Sequence, residues 1–287
     1  MLYFLLLFIG LPGDAVNLRW QFKQGDTFQQ ETRSQLNQVV KVNQQEFKQD
    51  LVHTTLVKFT VSEVVPGGIT LEQQIESMKA TAPDGSPSPG NNAVLNQLQG
   101  AILKAKLSPE LQVKELEGYD ELLKRLAGDD PSVRRVAQAL LSEEQLKNAI
   151  QHSLGFVPQK ETQPGATWNR EMTISLGPLG SMRIGQAFKF DGMETVEGVP
   201  LAKISYQPTV SYTPPKADAT NPELSIIQGT IELKKGSGVV YFDPAVGRLH
   251  HSSLKLELTG TLTAKLGGKE VPITFEQTQT VDVRMKK

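Results

Sequence analysis

Hydrophobic and polar residues alternate most strictly near the C-terminus. Leu254, Leu256, Leu258, Gly260, Leu262, Ala264 and Leu266 occupy the even positions, and Lys255, Glu257, Thr259, Thr261, Thr263 and Lys265 the odd ones. A period of two over such a length predicts a strand with one buried face and one wetted face. Gly267-Gly268 suits a tight hairpin. The chain then returns with Val271, Ile273, Phe275, Val281, Val283 and Met285 on one face, against Glu276, Thr278, Thr280, Asp282 and Arg284 on the other. Upstream, Ile231 and Leu233 lead through Gly236 and Gly238 to Val239–Phe242, where Asp243-Pro244 and Gly247 have the chemistry of a turn. These segments predict an antiparallel meander. Strands of this length reach about 40 Å at 3.3 Å per residue, well beyond the about 5–6 residues usual in a sandwich. They point to a large curved sheet or barrel, with Gly260 at a bend or bulge.

The period changes in the middle of the chain. Asp130 is a cap, Pro131 stands at the first helical position, and Val133, Val136, Ala137, Leu140 and Leu141 keep helical spacing. Ser142 and Gln145 form a capping box for a second helix through Leu146, Ile150 and Leu154, stopped by Gly155 and Pro158. A shorter helix, Tyr119–Ala127, ends at Gly128, and residues 93–99 after Asn92 are a weaker helical segment. Each helix carries a single apolar stripe, so each is expected to lie on the sheet. Pro83–Gly90 and Gln207–Glu223 are too rich in proline and glycine for an element interior and are predicted loops.

The two strand blocks resemble each other. Gly25, Thr27, Phe28 and Glu31 recur as Gly165, Thr167, Trp168 and Glu171, and Phe59–Ile69 matches Phe190–Val199. Two half-sheets around a helical insertion would make one curved sheet; two unrelated hairpins of similar composition would give the same likeness. The expected fold is α+β and β-dominated: a large curved antiparallel sheet, half-barrel or barrel-like, with a central helical insertion packed on one face. The expected organisation is a leader at 1–15 and a single β-rich domain at 16–287. Within that domain, 16–82 is the first strand block, 83–92 a linker, 93–158 a mainly helical insertion and 159–287 the second strand block.

The N-terminus sets the compartment. Leu2–Leu11 is an apolar run ending in Pro12, with Gly13 and Ala15 at the −3 and −1 positions of a cleavage site. That is the pattern of a secretory signal peptide, too short for a span of about 20 apolar residues, although no basic residue precedes the run. The chain is expected to be exported to the periplasm or extracellular space, with no integral span once the leader is removed. Cysteine is absent, which excludes disulfides, thiolate metal sites, a thiol nucleophile and an acylated cysteine. A mature chain of roughly 270 residues buries about three quarters of its unfolded surface, enough to be held by its core. With 30 basic and 31 acidic residues the net charge is −1, so no field points to nucleic acid or an acidic membrane. No asparagine opens a glycosylation sequon.

Reactive motifs are lacking. The sequence shows no nucleophile elbow, phosphate loop or dinucleotide fingerprint. Of four histidines, His53 sits in a strand, His152 in the last turn of a helix, and His250 and His251 are neighbours in a strand, where adjacent side chains are expected on opposite faces. No metal ligand set, catalytic residue or cofactor is assigned. Asp129, Asp130, Glu143 and Glu144 stand at helix N-termini, where the dipole accounts for them. Trp20 and Trp168 are candidate ligand-binding aromatics; the strand alternation around Trp20, with Leu18 and Phe22 on its face, favours core. Gln277 and Gln279 are the other binding candidates. Polar groups on an apolar face need partners or a wet cavity, unless the strand there outruns the core, the reading the sequence favours.

Three stretches carry a family likeness: Leu18–Phe28, Gly238–Leu249 and Phe275–Val281. In them the chain resembles an uncharacterised family of secreted planctomycete proteins, a domain of unknown function. The resemblance implies export and a β-rich domain and brings no activity or site residue. More distantly, strands around a helical insertion resemble the half-barrel lipid and lipoprotein carriers of the bacterial envelope. The functional expectation is a non-catalytic binding or carrier protein of the envelope, holding an apolar or amphipathic ligand between the sheet and helices 119–154. A structural or protein-interaction component of the envelope is the alternative, with an envelope protein as partner. A hydrolase with dispersed carboxylates is the second alternative.

Overall fold

Long alternating segments become long strands. In the computed structural model, β1 (Val16–Leu18), β2 (Thr27–Val42), β3 (Gln45–Val65) and β4 (Gly68–Thr81) are followed by α1 (Pro89–Leu98), β5 (Ile102–Leu107), β6 (Val113–Glu117), α2 (Tyr119–Ala127), α3 (Pro131–Leu140) and α4 (Glu143–Leu154). The second half holds β7 (Lys160–Thr162), β8 (Thr167–Ser175), β9 (Ser181–Val196), β10 (Val199–Thr213), β11 (Leu224–Asp243), β12 (Arg248–Leu266) and β13 (Lys269–Lys286). The structure describes residues 14–176, 179–215, 224–266 and 269–286. Residues 1–13, where the leader is expected, Gly267-Gly268 and residues 216–223 of the Pro-rich segment lie outside them.

Eleven strands form one open antiparallel sheet in the order β6-β5-β4-β3-β2-β13-β12-β11-β10-β9-β8, and β1 pairs with β7 in a separate ribbon. The order is two meanders, β8 to β13 and β2 to β6, placed end to end, with the last strand of the chain seated beside the first long one. Residues from both arms meet in one core: Phe59, Val61, Leu71 and Leu103 from one side, Phe188, Phe190, Ile204 and Phe242 from the other, with Leu18 and Trp20 between them. The sheet therefore curls around an inner face. Helix α4 packs against both edge strands, β6 and β8. Gln151 accepts from the Val113 N–H on β6 (3.3 Å), and Gln145 donates to the Ser175 carbonyl at the end of β8 (2.9 Å). These bonds occupy edge groups that would otherwise stand open to another strand.

The two halves repeat in detail. Gly25 and Gly165 both have left-handed φ, +86° and +87°. Gly25 N–H donates to Val61 (2.8 Å) and Val61 N–H to Asp26 (2.9 Å); Gly165 N–H donates to Phe190 (2.7 Å) and Phe190 N–H to Ala166 (2.9 Å). Phe28 stacks on Phe59 at 5.0 Å, and Trp168 on Phe188 at 5.6 Å. Phe59 thus matches Phe188, two residues from the pairing the sequence suggests.

Several local expectations change. The insertion contains β5 and β6, which extend the first meander, and α1 starts at Pro89 inside the predicted linker. Gln207–Thr213 is strand, not loop. Pro208 lies opposite Gln186 of β9, but β10 pairs with β11 only through Tyr206, so at Pro208 the strand is paired on one side alone, the edge setting in which proline is tolerated. Gly260 marks no bulge: its pairings with Ile231 and Phe275 are in register. A β-carbon there would collide with the Phe275 ring, which fills the place of the absent side chain. Helix α3 does not lie on the sheet. It packs on α2, with Arg134 paired to Asp120 (2.8 Å), and leaves Val133 and Val136 46% and 59% exposed.

Candidate functional site

The inner face has a filled end and an open end. At the filled end Trp20 stacks on Phe22 (5.7 Å) and meets Phe156 and Phe242 edge-on (5.4 and 5.8 Å), while its Nε1–H donates to the Leu154 carbonyl at the end of α4 (2.8 Å). The space expected to hold a ligand beneath α4 is thus packed with aromatic rings. Trp168 lies in the same inner layer, half-buried on Phe188, with Phe188 against Tyr206 at 5.0 Å. The Trp168 Nε1 is buried without a hydrogen-bond partner. Burial pushes the Tyr206 phenol up to about 12. The two tryptophans are not brought together: Trp20 sits between the two arms against Phe156 and Phe242, and Trp168 takes the place in the second half that Phe28 has in the first.

Past this plug the inner face continues with apolar side chains, several of them partly exposed. Strand register aligns Val40 and Val42 of β2 with Phe275 and Ile273 of β13, and these with Gly260 and Leu262 of β12. Ile231, Val210 and Ile184 extend the surface across β11, β10 and β9, all partly buried. Phe47, opposite Val40, is 55% exposed. The inward positions of β2, β10 and β13, and of β12 from Ser252 onward, hold no Asp, Glu, Lys or Arg among the described residues, while at the plug end Arg248 lies over the Phe28 ring and pairs with Asp26. Charge sits outside: Arg33 lies opposite Asp282 and Glu31 opposite Arg284 on the outer face. This apolar-in, charged-out polarity is the reverse of a transmembrane barrel, whose outer band is apolar.

Gln277 and Gln279 stand on the inner face, between the plug and the open end. Gln38 Nε2 donates to Gln277 (3.2 Å), Gln277 Nε2 to Gln279 (3.5 Å) and Gln279 Nε2 to Ser34 Oγ (3.2 Å). The strand does not outrun the apolar face here, because Phe275, Ile273 and Val271 resume it beyond the glutamines, Val271 only 8% exposed. The pair is half of a four-residue polar belt. Its other members, Gln38 and Ser34, escaped the sequence reading because Thr27–Val42 is polar on both faces for most of its length. Only the register with β13 reveals which of its residues face inward.

A second opening, a cleft of about 980 Å³, lies in the seam between the sheet edges. Trp20, Leu154 and Val157 form its floor, and Glu110, Gln112, Gln151, His152, Arg170 and Glu171 are among its rim. Burial, with the Arg170 charge, lowers the His152 pKa, and the Gln186 hydrogen bond opposes this. Glu110 accepts from Ser108 Oγ (2.9 Å), which holds its carboxyl below the usual range. That is the opposite of the raised carboxyl a general acid requires.

His250 and His251 correct an expectation. A register shift between Tyr241 and Phe242 leaves His250 as the extra residue of a bulge, so the two rings meet, Nδ1 to Nδ1 at 2.9 Å, instead of pointing to opposite faces. Among the described residues no three His, Asp or Glu side chains gather as a metal ligand set. No helix of the described residues is long and apolar enough to cross a membrane.

The model of a family of unknown function, DUF6263, matches residues 63–197; the three stretches that carry the sequence likeness lie outside that match. No curated protein matches the chain in sequence. Among solved structures, lipovitellin, described for its lipid–protein interactions, is 12% identical with a TM-score of 0.43, covering 93% of this chain. The chain spans only 26% of the lipovitellin chain. A Bacteroides fragilis protein with a YmcC-like fold is 13% identical over 95% of this chain and 100% of its own, with a TM-score of 0.27. The hypothetical lipoprotein YmcC of Escherichia coli is 11% identical over 84% of this chain and 85% of its own, with a TM-score of 0.21.

Proposed function

We propose that this chain is an exported, non-catalytic binding or carrier protein of the cell envelope that holds an apolar or amphipathic ligand in the open trough of its sheet. The observation that carries the reading is the inner face around Ile273 and Phe275, where these residues, Val40 and Val42 of β2, Ile231 of β11 and Leu262 of β12 keep apolar side chains partly exposed. Apolar side chains in such a row are normally covered, and contiguous exposed patches of this kind mark binding surfaces. The apolar leader at 2–11 supports export. The ligand site is moved from beneath the helices to the trough, since the aromatic plug fills the former.

Native mass spectrometry of protein purified from its own envelope is expected to show an added lipid-sized mass. Extraction with organic solvent should remove it and let the delipidated chain enhance N-phenylnaphthylamine fluorescence. A bare mass together with no probe binding would overturn the proposal.

A further inference from the structure

We infer that the trough selects single-chain amphiphiles with an uncharged, hydrogen-bonding head, the head resting on the Ser34–Gln38–Gln277–Gln279 belt and the chain running toward Ile273. This rests on the trough being a binding site and adds the class of ligand.

The belt has hydrogen-bonding capacity left over. An amide side chain offers two N–H donors and a carbonyl with two lone pairs, and a serine hydroxyl one donor and two lone pairs. The three bonds of the belt use one donor of each glutamine and one acceptor site each on Gln277, Gln279 and Ser34. The Gln38 carbonyl, a second N–H on every glutamine and the Ser34 O–H have no partner among the described residues and can bond another molecule. These groups are partly buried and flanked by apolar residues: Leu256 and Leu258 lie directly across from Gln279 and Gln277, 8% and 7% exposed. A polar group in such a setting is stabilised by a partner that supplies both donors and acceptors. Hydroxyl, ester and amide heads do so.

Charge narrows the class. An ionised head on the belt would find no Lys or Arg facing it from β2, from β13 or from Leu256–Leu262 of β12; on β3 the group across from Ser34 is the imidazole of His53. Desolvating a carboxylate or phosphate without a partner is strongly unfavourable. Length fits one chain. From Gln277 to Ile273 is four residue steps along β13, about 13 Å at 3.3 Å per residue, and one leaflet of a bilayer core, half of about 30 Å, is about 15 Å.

The test is displacement of N-phenylnaphthylamine from the delipidated full chain by monopalmitoylglycerol and by palmitate, at a pH where palmitate is ionised. Monopalmitoylglycerol is expected to displace the probe at a concentration at least about tenfold lower, a difference of about 1.4 kcal/mol. In the double variant Gln277→Leu/Gln279→Leu, with each displacement referred to the variant's own probe affinity, that preference should vanish. Equal displacement by both amphiphiles in the unaltered chain overturns the head-group inference but leaves the trough as a binding site. A preference that survives in the folded double variant overturns the role of the belt. Failure of the probe and both amphiphiles to bind overturns the proposed function as well. The comparison in the unaltered chain decides the matter even where the double variant does not fold.

Discussion

Replacing Trp20 by alanine separates a core role from a pocket role. The indole is 7% exposed, contacts Phe22, Phe156 and Phe242, and donates to Leu154. Truncating a buried aromatic to alanine costs about 3–5 kcal/mol, because transfer energy is lost and a cavity is left. The hydrogen bond contributes about 1 kcal/mol and each aromatic pair about 0.5–1.5 kcal/mol beyond burial. These contributions overlap, and the expected cost is about 4 kcal/mol. Trp20→Phe keeps a ring and loses the N–H, so about 1–2 kcal/mol is expected, chiefly from the stranded Leu154 carbonyl. Urea unfolding followed by the remaining Trp168 fluorescence reads both. At an m-value of about 2–3 kcal/mol/M, the alanine variant should lose roughly 1–2 M in midpoint. The reasoning is refuted if Trp20→Ala changes stability by less than about 0.5 kcal/mol while abolishing N-phenylnaphthylamine binding, for then the ring faces ligand and not core.

Three further outcomes are expected. Phe47→Ser should leave stability within about 0.5 kcal/mol, since the ring is 55% exposed, and weaken probe binding in the trough; urea unfolding and fluorescence titration check the two parts. Gly260→Val should destabilise by about 1–3 kcal/mol through overpacking against the Phe275 ring, an effect that Phe275→Ala should largely relieve in a double-mutant cycle. Tyr206 stays neutral in the folded chain at pH values where the unfolded phenol already ionises. Stability is therefore complete below about pH 10 and falls as pH rises to about 12, by on the order of 2 kcal/mol, a loss that should be absent from Tyr206→Phe in urea titrations across that range.

Much of the fold is written locally. The capping box at Ser142 and Gln145 and the cap at Asp130 form as their side-chain chemistry dictates. The alternation of Leu254–Ala264 places its leucines on one face and its threonines and lysines on the other, because strand geometry permits nothing else. What escaped were segments whose partners are distant. Strands β5 and β6 are short and acquire their identity from β4 and from α4. Pro208 reads as a breaker until its neighbour strand is seen to stop at Tyr206. His250 leaves the alternation only because β11 and β12 slip past each other there.

The candidate site divides the same way. Gln277 and Gln279 stand out in sequence as polar residues on an apolar face, since the period of β13 is strong enough to assign sides. The sequence by itself thus determined the meander, the helices, a cysteine-free core and an uncharged face on the last strands, all consequences of side-chain period and residue chemistry. The tertiary structure alone decided that the face curls inward, that α4 spans its edges, and that Trp20 fills the end where a ligand was expected. It also brought Ser34 and Gln38 to the glutamines. The bonds joining them span sequence separations of 245 and 239 residues, and only the pairing of β2 with β13 closes that distance.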